Sequence, residues 1–129
     1  MNVPKNLKYT REHEWVELQG KRARFGITDY AQGQLGDIVY VELPAVGAEV
    51  RATEPFGSIE AVKAVSDLFA PVSGVVKEVN ADLADHPEKV NRSPYGDGWM
   101  IVVEVSDPGE MENLLSAAEY ESLVASEAS

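Results

Sequence analysis

The sequence predicts a mainly β fold: a sandwich or small barrel with short helices at its edges and a helix near its C-terminal end. Three observations carry this. Apolar and polar residues alternate with period 2 in several short runs, among them Glu14-Trp15-Val16-Glu17-Leu18 and Arg22-Ala23-Arg24-Phe25-Gly26-Ile27. Gly and Pro punctuate the chain between those runs, as turns require. A sustained helical spacing occurs only late, at Met111, Leu114, Leu115, Ala118 and Leu123.

The elements follow in order. Gln19-Gly20-Lys21 joins the first two runs into a β-hairpin with one dry and one wet face. Thr28 as N-cap and Gly36 as the stop frame a short helix over 28–36. Asp37–Leu43 is a β-branched strand ended by Pro44. Short strands are expected around Glu49-Val50 and over 57–62, followed by Val65–Ala70 and Gly74–Val79. Residues 81–98 read as a long loop with one helical turn at Asp82-Leu83-Ala84, and Tyr95-Gly96-Asp97-Gly98 as turn chemistry. Trp99–Val105 is the last strand, and a broken helix covers Glu110–Ser126. A faint echo, Gly36 with Ile38 and Val41 against Gly74 with Val76 and Val79, suggests two similar halves. Trp15 and Trp99 are expected in the core and His86 in solvent.

Composition narrows the function. The chain has 129 residues, 44% hydrophobic and 26% charged, which suits one domain with one core. It has no cysteine, which excludes disulfides, thiol nucleophiles and iron–sulfur ligation. The net charge of −11 is the wrong sign for a nucleic-acid binder. Residues 101–129 hold seven acids and no base and read as a solvated face. No apolar run is long enough to span a membrane, and Met1–Lys5 does not resemble a signal peptide, so a cytoplasmic protein is expected. His13 lies between Glu12 and Glu14; on a strand, neighbours point to opposite faces, so no histidine–carboxylate pair is expected within this triplet. No nucleophile-elbow, zinc-protease, P-loop or dinucleotide motif occurs, so the chain does not read as a stand-alone enzyme.

The informative segment is 57–74. Lys63 stands between two strand-forming stretches, flanked by Val62 and Ala64, and pairing of those stretches puts its amine in water at a hairpin apex. Ile59, Glu60, Ala64, Leu68, Gly74 and Val76 around Lys63 resemble the signature of lipoyl-lysine domains. Glu60-Ala61-Val62-Lys63-Ala64, Asp67 and Pro71-Val72-Ser73-Gly74 resemble more closely the H-protein family of the glycine cleavage system. The resemblance continues in Lys8-Tyr9-Thr10, His13-Glu14-Trp15-Val16, Gly26–Ala31, Leu35-Gly36-Asp37, Asn80, Pro87, Asn91, Ser93-Pro94-Tyr95 and Gly98-Trp99, over about residues 7–124. Two positions depart from the family: Ala61 where serine is usual, and Glu12 where a smaller polar residue is common.

The resemblance implies a single lipoyl-carrier domain over 1–129, with a flattened-barrel or hybrid-sandwich fold, a lipoyl hairpin at about 57–70 and a C-terminal helical segment at about 108–126. It implies lipoate attached as an amide to Lys63 by a lipoate ligase or lipoyl transferase, with Glu60 as a recognition handle for that enzyme. The loaded arm carries an aminomethyl group from a pyridoxal-phosphate glycine decarboxylase to a folate-dependent aminomethyltransferase. A dihydrolipoamide dehydrogenase then reoxidises the arm. Glu14 and Asp67 stand where the family has the acids that receive the loaded arm, and Glu12 adds a third; alternation along the first strand would set Glu12 and Glu14 on one face. The implied protein is a monomeric, non-catalytic carrier. Three other readings are a biotin carrier, disfavoured because methionines do not flank Lys63, a relay that donates lipoyl groups to other carriers, and an unmodified interaction module.

Overall fold

The computed structural model describes residues 2–128. Among the described residues, nine strands form two open antiparallel sheets. They are β1 (Lys8–Tyr9), β2 (Glu14–Gln19), β3 (Arg22–Ile27), β4 (Ile38–Glu42), β5 (Glu49–Val50), β6 (Pro55–Ala61), β7 (Val65–Phe69), β8 (Gly74–Val79) and β9 (Ile101–Val105). One sheet has the order β1-β2-β3-β9-β8-β5 and the other β4-β6-β7. Helix α1 (Asp29–Leu35) begins at Thr28, whose hydroxyl accepts from the Ala31 N–H, and ends at Gly36 with φ 82°. Helices α2 (Asp82–Asp85) and α3 (Lys89–Arg92) lie in the 81–98 connection, and a 3₁₀ segment (Pro108–Asn113) precedes α4 (Ala117–Ala128). The break expected in the C-terminal helix therefore falls between these last two.

The core between the sheets is built from alternate strand positions. Phe25, Ile59, Leu68, Val76 and Val103 are each at most 1% exposed, and Phe25 meets Phe56 edge to face across 5.3 Å. Each such side chain contributes roughly 1.5–3 kcal/mol through burial. A second cluster lies outside β1 and β2, where α4 packs. Tyr120 of α4 stacks on Tyr9 with ring centroids 4.6 Å apart, beside the fully buried Trp15, whose indole N–H donates to the Pro94 carbonyl at 2.9 Å. Trp15 is thus core, whereas Trp99 is only partly buried. His86 is exposed, 3.4 Å from the Glu88 carboxylate.

The structure corrects the internal echo. Gly36 caps a helix, so it is not equivalent to Gly74. The matching glycines are Gly57 and Gly74. A Cβ on Gly57 would sit 2.2 Å from the Glu42 carbonyl oxygen, and one on Gly74 would sit 2.2 Å from that of Glu104. After each glycine the register repeats: Ser58 and Ile59 pair with Glu42 and Val41, and Val75 and Val76 pair with Glu104 and Val103. Two antiparallel strand pairs, β4–β6 and β8–β9, therefore repeat one close backbone approach that only glycine allows.

The 81–98 connection is more ordered than its loop-like sequence suggests. Asn80 Nδ2 donates to the carbonyls of Asp97 (2.9 Å) and Trp99 (2.8 Å). Helix α3, absent from the sequence reading, is a single turn held by its tertiary packing, with Val90 fully buried.

Candidate functional site

Lys63 lies at the turn between β6 and β7, and Val62 and Val65 beside it are 75% and 70% exposed. The turn is held from three sides. The Ala61 N–H donates to the Ala64 carbonyl at 2.7 Å, and the Val62 N–H donates to the Asp37 carbonyl at 3.0 Å. Asn91 of α3 donates to the Gly36 carbonyl at 2.8 Å and accepts from the Ile38 N–H at 2.9 Å, fixing the segment on which the lysine rests. A Cβ on Gly36 would stand 3.4 Å from Lys63 Cε and 3.8 Å from Nζ. Lys63 is exposed and forms no ion pair among the described residues. The result is a free amine on a stiff mount.

Glu60 is exposed on the central strand of its sheet, in register with Tyr40 on one side and Val65 on the other. Tyr40 is 50% exposed, so this face presents a carboxylate between apolar groups. Ala61 faces inward at 4% exposure.

Next to the lysine's mount opens a cleft of about 280 Å³. Leu35, adjacent to Gly36, lines it, together with α1 residues Tyr30 and Ala31, the edge strand β7 through Ser66, Asp67 and Leu68, and Glu12, His13, Glu14 and Glu127. The three acids named from the sequence, Glu12, Glu14 and Asp67, thus meet at one cavity. Its apolar part, with Ile27 and Ile59, suits a hydrocarbon arm, and its acids suit a cation.

The reason for the meeting differs from the alternation argued above. Glu12 and His13 lie in a turn before β2, not on a strand, and His13 has a positive φ of 71°. The turn closes through Thr10: its N–H donates to the Glu14 carbonyl at 2.9 Å, and its hydroxyl accepts from the Glu14 N–H at 3.1 Å. The carboxylate that His13 does reach lies outside the triplet: it is that of Glu127, at 3.1 Å, from the far end of the chain.

Glu14 is the unusual acid. It is 2% exposed, and its carboxylate accepts from the Thr10 hydroxyl at 2.6 Å. Burial pushes its pKa up to about 8; hydrogen bonds from Thr10 and the Phe69 backbone oppose the shift, and the charge of Glu12 adds to it. Glu12 and Glu14 also line a second cavity of about 340 Å³, walled by Phe69, Pro71, Leu114 and Leu115 among others. Glu14 therefore stands in the partition between two cavities.

His13 and Glu127 escaped the sequence reading. The only available signal was the placement of His13 between two acids; nothing local connects it with an acid at the far end of the chain.

Residues 7–127 match the family model described as glycine cleavage H-protein. The chain is 63% identical to a glycine cleavage system H protein of Geobacillus kaustophilus (strain HTA426) over 124 residues, covering 96% of this chain and 98% of that protein. It is 60% identical to the glycine cleavage system H protein of Bacillus subtilis (strain 168) over 123 residues, covering 95% and 97% respectively. Among solved structures, a glycine cleavage system H protein from Mycobacterium marinum superposes with a TM-score of 0.88 at 41% identity, covering 95% of this chain and 99% of that one. Among the described residues no helix is long and apolar enough to cross a membrane.

Proposed function

The chain belongs to the family of glycine cleavage H proteins, the lipoyl-carrying shuttles of the glycine cleavage system, and we propose that Lys63 is where its lipoyl group is attached. The observation that supports this is the free, exposed amine at a rigid apex beside an acid-lined cleft. Mass spectrometry of the protein from its native host, with peptide mapping, should find a lipoyl amide on Lys63. An unmodified lysine in cells with ample lipoate would overturn the assignment.

The bound lipoyl group supplies the dithiol chemistry and carries the one-carbon cargo. The chain's own residues mount it, aim it and shelter it. The stiff turn limits where the arm can sweep, and tethering gives a high local concentration at each docked enzyme. The chain is a carrier subunit that works with the other components of its system. Its partners in this reading are the pyridoxal-phosphate glycine decarboxylase, the folate-dependent aminomethyltransferase and dihydrolipoamide dehydrogenase, with a lipoate ligase or lipoyl transferase for its modification. We place it in the cytoplasm, as a single-domain, monomeric carrier that is itself non-catalytic.

Glu60 is the handle by which the modifying enzyme selects Lys63. It is the exposed acid nearest in sequence on the same hairpin, flanked by apolar Tyr40 and Val65. Glu60→Ala should slow lipoylation in vitro by about 3-fold or more, through weaker encounter rather than misfolding. Equal rates with an unchanged circular-dichroism melt would remove this role.

Glu12, Glu14 and Asp67 shelter the loaded arm. An aminomethyl group carries an ammonium, which is costly to desolvate without a partner and gains charge-assisted hydrogen bonds from carboxylates. A cation arriving beside Glu14 draws that buried carboxyl into its charged form. Glu14→Ala should shorten the lifetime of the aminomethyl-loaded protein by about 10-fold, and Asp67→Ala, at an exposed position, by less. Release of ammonia and formaldehyde without the folate enzyme measures this. Loaded forms that decay at the wild-type rate would show that these acids do not hold the arm.

A further inference from the structure

The cleft's acid turn is fastened to the C-terminal helix through His13. The ring Nδ1 lies 2.8 Å from the Tyr120 hydroxyl and Nε2 lies 3.1 Å from Glu127 Oε1, both on α4. The Tyr120 hydroxyl lies 2.7 Å from the hydroxyl of Thr28, the N-cap of α1. One arrangement uses every group once as donor. Thr28 Oγ1, already accepting from the Ala31 N–H, donates to Tyr120. Tyr120 donates to His13 Nδ1, and His13 Nε2–H donates to Glu127. Thr28 and Tyr120 are fully buried, so the chain is largely screened from water until it emerges at Glu127.

The backbone of His13 belongs to the same joint. Its carbonyl accepts from the Thr28 N–H at 3.0 Å, and its N–H donates to the Thr10 carbonyl at 3.2 Å. Its φ of 71° is rare for a non-glycine residue and costs on the order of 1 kcal/mol or more, so the surrounding bonds must hold it. That conformation reverses the chain between Glu12 and Glu14 and brings both to the cleft wall.

We propose that His13 is a positioning residue for the loaded arm: pinned to α4 by Tyr120 and Glu127, it holds the turn that presents Glu12 and Glu14 to the cleft. This rests on the reading of those acids as the arm's shelter. The C-terminal helix is then a working part of the site, although its own sequence reads as a solvated acidic tail.

The test uses lipoylated full-length protein as wild type, Glu14→Ala, His13→Asn and the double variant. Asparagine tolerates positive φ, so the turn is kept, but it is too short to reach both Tyr120 and Glu127. His13→Asn should shorten the aminomethyl-loaded lifetime by about 3- to 10-fold, the effect of one lost hydrogen-bonded contact. The two effects should not multiply in the double variant, because His13 acts on the arm through Glu14 and Glu12, and Glu14 is already gone. A second readout needs no arm: in the unmodified chain, NMR titration of the Glu14 carboxyl should show its midpoint falling by about one pH unit in His13→Asn, as water enters. Multiplying effects in the double variant, or an unmoved Glu14 midpoint, would overturn the positioning role. A short-lived Glu14→Ala beside a normal His13→Asn would overturn it too, while leaving the acid shelter standing. A normal lifetime for Glu14→Ala would overturn both. Should His13→Asn fail to fold, Glu127→Ala, at the exposed end of α4, takes its place, with a smaller loss expected of about 2-fold and an unchanged lifetime counting against the proposal.

Discussion

Lys63→Arg should abolish glycine cleavage in the system reconstituted with its partner enzymes, while the melting temperature stays within about 2 °C of wild type. Arginine keeps the charge and nearly the reach of lysine, but a guanidinium does not lose its proton near neutral pH and cannot act as the amine that forms the amide. The fold should not notice the change, because Lys63 is exposed and forms no ion pair among the described residues. Glycine-dependent NADH formation measures the outcome, with the chain alone, which should give none, as the control. Retention of more than about 5% of wild-type turnover would mean that the arm hangs elsewhere or that another group replaces it.

The turn that carries Lys63 was largely readable from the sequence. Thr28 and Gly36 bracket α1 where capping chemistry puts them, the period-2 runs become β2 and β3, and the strands expected over 57–62 and 65–70 become β6 and β7. The reason is local: a cap, a turn or an alternation needs only a few consecutive residues to declare itself. The features that escaped depend on distant partners. Helix α3 is a single turn, too short to stand by propensity, and exists because Val90 is buried and the Asn91 side chain is hydrogen-bonded to Gly36 and Ile38. The true glycine echo, Gly57 with Gly74, becomes visible only when each is seen lying over a carbonyl of a neighbouring strand.

His13 shows the same limit at the site. Strand alternation was the wrong rule for residues 12–14, because a closed turn with positive φ stands where a strand was assumed. Glu12 and Glu14 do line one cleft, but for another geometric reason. Their actual grouping depends on a helix that begins more than a hundred residues later.

Glu14→Gln should stabilise the protein increasingly as pH rises from about 4.5 to 8. Burial raises the native pKa of Glu14 from 4.5 to about 8. Between those values the folded chain holds a proton that the unfolded chain has released, so unfolding releases it and wild-type stability falls as pH rises. The contribution of the neutral carboxyl is fully present below pH 4.5 and is lost as pH climbs through 8. Glutamine is neutral throughout, keeps a carbonyl to accept from the Thr10 hydroxyl and does not suffer this loss. The two proteins should therefore be closest in stability at pH 4.5. Above pH 8 the variant should be the more stable by roughly 2–4 kcal/mol, since each unit of pKa displacement is worth about 1.4 kcal/mol and the effect saturates once the native carboxyl ionises. Denaturant unfolding of both proteins at pH 4.5, 6.5 and 8.5 measures the difference. A gap that does not widen with pH would mean that Glu14 is already charged in the folded protein, held so by Thr10 and the Phe69 backbone. The cleft would then offer a standing anion instead of a carboxyl that ionises when its cation arrives.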